Sequence, residues 1–138
     1  MKRNFRRHLE ALSPLYEFAE EMLEAHDVAE GIRFPVHLAM EELFVNMVKY
    51  NPDISTDIQV DITLKADQLV RVSLVDDGGV EFDLTAARPV NIDASIEDRI
   101  PGGLGIYLIQ NLVDTLDYEY QDGRSEVIFT KGSGNEDV

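Results

Sequence analysis

A chain of 138 residues, 44% hydrophobic and 28% charged, is long enough for one domain with a real core and too apolar to be disordered. The absence of cysteine excludes disulfides and thiolate metal sites, and a net charge of −15 argues against non-specific nucleic-acid binding, which rests on Lys and Arg neutralising phosphates. No apolar run approaches the roughly 18 residues of a membrane span, and no apolar segment follows the basic start, so the cytoplasm is the expected location, with no membrane and no direct nucleic-acid partner.

The first residues carry Lys2, Arg3, Arg6, Arg7 and His8 around Phe5 and Leu9. They read as a short edge strand blunted by charge. Ser13-Pro14 then has the form of a helix start, with Ser as N-cap and Pro in the first helical position. Leu15, Phe18, Ala19, Met22 and Leu23 recur at helical spacing, and Glu17, Glu20, Glu21 and Glu24 fill the opposite face.

A second helix is expected from Phe34 or Pro35 to Tyr50, with Val36, Ala39, Leu43, Met47 and Tyr50 as its apolar stripe. Glu42, Asn46 and Lys49 follow at i, i+4 and i+7 and share another face. There a carboxylate can take a proton, and a carboxamide oxygen can ligate Mg²⁺. Glu41, about 100° round the helix, is expected to pair with His37 instead. Asn51-Pro52-Asp53 ends the helix.

Ile58, Val60, Ile62 and Leu64 alternate with polar residues, as do Val70, Val72 and Leu74, and the short Lys65–Gln68 connection makes these an antiparallel hairpin. The second strand runs into Val75-Asp76-Asp77-Gly78-Gly79-Val80-Glu81-Phe82-Asp83. A carboxylate here can accept a hydrogen bond from an exocyclic amine, and the glycines let a flat base come near. Residues 84–101 show no period, as expected of a long functional loop. Pro101-Gly102-Gly103-Leu104-Gly105-Ile106 follows, and Ile106, Ile109, Leu112 and Val113 have helical spacing. Glycines at a helix mouth suit a phosphate, which the free N–H groups and the helix dipole favour. A second hairpin, Leu116–Tyr120 and Ser125–Lys131 around Asp122-Gly123, completes the domain, with Gly132–Val138 as a flexible tail.

The order strand, helix, helix, hairpin, loop, helix, hairpin defines an α+β two-layer sandwich: a mixed, largely antiparallel sheet with helices on one face. It resembles the GHKL ATPase fold of gyrase, sensor histidine kinases and MutL. Within that fold it is similar to the small anti-sigma-factor serine/threonine kinases of bacteria, over roughly residues 10–131. Glu41-Glu42-Leu43-Phe44-Val45-Asn46-Met47-Val48-Lys49-Tyr50 looks like the family's N-box. Asp77-Gly78-Gly79-Val80-Glu81-Phe82-Asp83 looks like its D-x-G-x-x-F-D box, and Gly102-Gly103-Leu104-Gly105-Ile106 like its second glycine box.

The resemblance implies ATP and Mg²⁺ as cofactors. It casts Glu42 as general base and Asn46 as the Mg²⁺ ligand. Asp77 would bind the adenine amine, with Gly79 admitting the base. Asp76-Asp77-Gly78 also spells D-x-G, but Asp77 keeps Phe82-Asp83 in register. Gly102, Gly103, Leu104 and Gly105 would serve the phosphates, and residues 84–101 would form the ATP lid. Arg99 would be the cation on the terminal phosphate, with Lys49 as second candidate. The implied substrate is a Ser or Thr of a STAS-type antagonist protein. A sequestered sigma factor and a homodimer are further expectations. The rival reading is a non-catalytic nucleotide-binding module that acts by partner binding alone.

Overall fold

A computed structural model of the chain describes residues 1–50, 56–77 and 103–132, with residues 50 and 103–106 as backbone only. The chain opens with strand β1 (Lys2–Phe5) and a 3-10 turn (Leu9–Ala11), followed by helices α1 (Leu12–Ala25) and α2 (Glu30–Tyr50). Strands β2 (Ile58–Lys65) and β3 (Leu69–Asp77) come next, then α3 (Gly103–Leu112), β4 (Thr115–Gln121) and β5 (Arg124–Lys131).

Helix α1 begins before its expected cap. The 3-10 turn in front of it is capped by His8, whose Nδ1 accepts the Glu10 N–H at 3.0 Å, so Ser13 is already helical. Pro14 is then the third helical residue, where an N–H would lack an intrahelical acceptor anyway. The expected stripe is the one that packs: Leu15, Phe18, Ala19 and Leu23 are buried. The helix ends with Asp27 in the left-handed region (φ 51°), where the Val28 N–H reaches Leu23 O at 3.0 Å and the Asp27 N–H reaches Glu24 O at 3.1 Å. These two bonds form a Schellman cap, made here with Asp instead of Gly.

Helix α2 starts earlier than expected and carries Pro35 inside it. The hydrogen bond that Pro35 lacks is the one to Gly31 O, near the helix start, where little of the ladder is lost. The buried residues of α2 are Ile32, Pro35, Val36, Ala39, Met40, Leu43, Phe44, Asn46 and Met47. That is more of its circumference than one stripe, because α2 packs against α1, α3, β3 and β5.

The sheet has five strands in the order β1-β2-β3-β5-β4. Each pairing is antiparallel, so the expected parallel component is absent among the described residues. Strand phase divides its two faces. Ile58, Val60, Ile62, Val70, Val72, Leu74, Val127 and Phe129 join α1, α2 and α3 in one core. Arg71, Ser73, Val75 and Asp77 of β3 point to the other face, in register with Thr130, Ile128, Glu126 and Arg124 of β5. Asp122 (φ 54°) and Gly123 (φ 79°) join β4 to β5 in the two positive-φ positions of a type I′ turn, whose twist matches the strands.

Candidate nucleotide site

Three of the expected site residues lie on α2, in very different settings. Asn46 is 1% exposed, and its Nδ2 has no hydrogen-bond partner among the described residues. A buried amide without a partner costs free energy that a ligand would recover. One turn earlier, Glu42 is half-buried, at the border of core and solvent. Lys49 is exposed in the last turn, where a cation suits the helix dipole. The shared face expected of these residues therefore runs from solvent into the interior and out again. Glu41 is exposed and does not take His37. The His37 Nε2 instead meets Glu20 Oε1 of α1 at 3.0 Å, because α1 supplies a carboxylate across the helix pair.

The end of β3 decides which aspartate shares this side of the molecule. Asp76 continues the inward phase of Val70, Val72 and Leu74 and is 2% exposed. Asp77 points to the opposite face, with a side chain 64% exposed. Its contact there is Arg124 Nε at 4.0 Å, in an open cavity of about 420 Å³ lined also by Glu119, Gln121, Asp122 and Glu126. Four carboxylates against one guanidinium repel a polyphosphate. The expectation that Asp77 faces a nucleotide beside Asn46 thus does not match the strand phase; Asp76 occupies the helix-side position.

Asp76 is not isolated. Its Oδ1 accepts a hydrogen bond from Arg7 Nη2, and both side chains are almost fully buried. Arg7 Nη1 donates to Met47 O at 3.3 Å, Nε to Thr56 O at 3.2 Å, and Nη2 also to Thr56 Oγ1 at 3.2 Å. The Thr56 hydroxyl donates in turn to Asp77 O at 2.7 Å. One guanidinium therefore spans the gap between the Asp76 carboxylate and the α2 backbone one residue beyond Asn46. Sequence reasoning placed Arg7 in a solvent-facing basic cluster and missed this role. The available signal was its phase: Arg7 lies two residues after Phe5, the buried residue of β1.

Gly103, Leu104 and Gly105 form the start of α3 and not a loop before it. Their N–H groups are among the first four of the helix, which have no intrahelical acceptors. Gly79, Arg99, Gly102 and the expected lid at 84–101 lie outside the described residues. Among the described residues no cluster of three His, Cys, Asp or Glu side chains forms a metal site, and no helix is long and apolar enough to cross a membrane. A Mg²⁺ ion carried by a nucleotide needs no such cluster, since one or two protein oxygens beside phosphates and water suffice. The carboxamide of Asn46, whose Nδ2 is buried without a partner among the described residues, fits that requirement, because a flip would put its oxygen at that position.

The geometry is that of a known class. The histidine kinase-like ATPase domain profile matches residues 5–131. The serine/threonine-protein kinase BtrW of Bordetella bronchiseptica is 28% identical over 106 residues, covering 76% of this chain and 74% of that protein. The serine-protein kinase RsbW of Bacillus cereus is 31% identical over 126 residues, covering 87% and 74%. RsbW of Listeria monocytogenes is 34% identical over 101 residues, covering 68% of this chain and 62% of that protein, a little under two thirds of its length. Among solved structures, the SiaB–SiaC complex of Pseudomonas aeruginosa superposes with a TM-score of 0.70 at 17% identity, over 94% of this chain and 88% of that one. The chain belongs to the histidine kinase-like ATPase domain family, in its group of RsbW-type serine/threonine-protein kinases.

Proposed function

We propose that this protein is an ATP- and Mg²⁺-dependent serine/threonine kinase of the anti-sigma type. Its substrate would be a hydroxyl of a STAS-type antagonist protein, and its second partner a sigma factor held by the same chain, as a homodimer. The observation that carries the catalytic reading is the buried Asn46, with its Nδ2 unpartnered among the described residues, one helical turn from the half-buried Glu42. A module that acted by contact alone would not need that pair.

Each residue takes one task. Asn46 holds the metal, and the first N–H groups of α3, from Gly103, Leu104 and Gly105, hold phosphate oxygens. Asp76 takes the role first expected of Asp77: its carboxylate accepts from the adenine amine. Gly79 and Gly102, outside the described residues, would admit the base and the phosphates. Arg99, with Lys49 as alternative, meets the terminal phosphate. Bound Mg²⁺ supplies charge neutralisation for phosphoryl transfer. Glu42 takes the proton from the incoming Ser or Thr hydroxyl as its oxygen bonds to the terminal phosphorus, and the bond to the bridging oxygen breaks to leave ADP.

The test follows γ-labelled phosphate from ATP to a panel of purified STAS-type proteins. Glu42→Ala should lower transfer by about 10²–10⁴-fold with ATP affinity kept, the usual contribution of a positioned base. Equal transfer by wild type and variant would overturn the assignment of the base. Transfer to no protein by the wild type would overturn the kinase reading.

A further inference from the structure

Arg7 is the feature that the family reading leaves unused. Its side chain is 2% exposed and sits between β3, the end of α2 and residue 56. Three of its four acceptors are neutral: Met47 O, Thr56 O and Thr56 Oγ1. Among the described residues, Asp76 alone of its acceptors carries charge. A hydrogen-bonding side chain without charge would serve the neutral acceptors, so the positive charge itself bears on Asp76. The bond from Arg7 also fixes the direction of the Asp76 carboxylate, and a charged donor holds it more strongly than a neutral one would.

The direction of its acceptor oxygens decides what Asp76 can recognise. An ionised carboxylate only accepts hydrogen bonds, and it has about four acceptor positions, so a bond from Arg7 is compatible with another from an amine. A carbonyl oxygen offers no donor and meets only repulsion from the oriented carboxylate. We infer that Arg7 is a positioning residue that sets base selectivity. By fixing the direction of the Asp76 acceptor oxygens and setting a positive charge against them, it makes the site accept a 6-amino purine and reject a 6-oxo purine. This rests on the assignment of Asp76 to the base in the reading above, and extends it to a residue outside the three sequence boxes.

The experiment is calorimetric titration of the full chain with Mg-ATP and Mg-ITP, for wild type, Arg7→Gln and Arg7→Lys, with folding confirmed by thermal unfolding. ITP replaces the 6-amino group by a 6-oxo group and is otherwise nearly isosteric. The wild type should prefer ATP. Arg7→Gln should narrow the ATP-to-ITP ratio by about tenfold, the worth of one charge-assisted hydrogen bond. Arg7→Lys, which keeps the charge, should retain most of the ratio.

If Arg7 were only structural, both affinities would fall together and the ratio would stand, which overturns the inference. Equal loss of the ratio in Arg7→Lys and Arg7→Gln would also overturn it. Wild type that binds ATP and ITP equally overturns the inference and leaves the nucleotide site intact. Wild type that binds neither overturns the site reading itself. Where Arg7→Gln fails to fold, Arg7→Met, which keeps much of the stem, serves as the neutral variant under the same criteria.

Discussion

Asp76 and Asp77 are adjacent, chemically identical and each set against an arginine, yet they occupy different worlds. Asp76 and Arg7 meet in the interior at 3% and 2% side-chain exposure, whereas Asp77 and Arg124 meet in water at 64% and 56%. The difference is one step of strand phase, which sends successive side chains to opposite faces. On the helix face a charge must be paired and hydrogen-bonded to exist at all. On the open face water screens it, and its pairing matters little. A carboxylate that is to read a base selectively belongs where water does not compete, which is the Asp76 side.

The largest test of that contrast is Asp76→Ala. It strands the Arg7 guanidinium in the interior without its one charged partner among the described residues. Removing one member of a buried pair costs about 3–5 kcal/mol, and denaturant unfolding should show a loss of that size. Nucleotide binding should vanish from the protein that remains folded. A stability within about 0.5 kcal/mol of wild type, with ATP still bound, would mean that Asp76 is neither paired nor placed as described.

Much of this arrangement was legible in the sequence, and the misses have physical causes. The stripe of α1 and the alternation of β2 and β5 each bury one clear face, so period alone revealed them, whereas β3 is buried on both faces from Val72 to Asp76. Helix α2 was harder because it packs on several sides, which blurs the stripe, and because Pro35 marked a false start. The spacing to Phe82-Asp83 favours Asp77 as the base-reading carboxylate, whereas the phase of Val70, Val72 and Leu74 favours Asp76. Arg7 was illegible for another reason. Its partners lie 40, 49 and 69 residues away, and no local pattern announces contacts so distant.

The β4–β5 hairpin allows a smaller test, because it carries Arg124 to the open face. Gly123 sits at φ 79° with nothing within 4 Å of where a Cβ would stand, so Gly123→Ala adds backbone strain and no clash. The left-handed region disfavours a Cβ by about 1 kcal/mol, and unfolding should show a loss near that value. The nucleotide affinity should not change, since the hairpin tip belongs to the face away from Asn46. A fall in ATP affinity would place the base on the wrong side of the sheet in the present assignment.

The smallest effect, and the sharpest discriminator, is Asp77→Ala. The ion pair with Arg124 has a long contact of 4.0 Å and both partners are mostly in water, so its loss should cost no more than about 0.5 kcal/mol. Removing one of four crowded carboxylates also relieves repulsion with Glu119, Asp122 and Glu126, which offsets part of that cost. The residual difference should shrink further as salt rises, because exposed charges are screened over about 10 Å at 0.1 M. ATP affinity should match wild type at every salt concentration. If Asp77→Ala instead abolished ATP binding while Asp76→Ala, still folded, retained it, the base would be read from the exposed aspartate. The buried ion pair would then be a strut, and the spacing to Phe82-Asp83 would be the better guide than the phase of the strand.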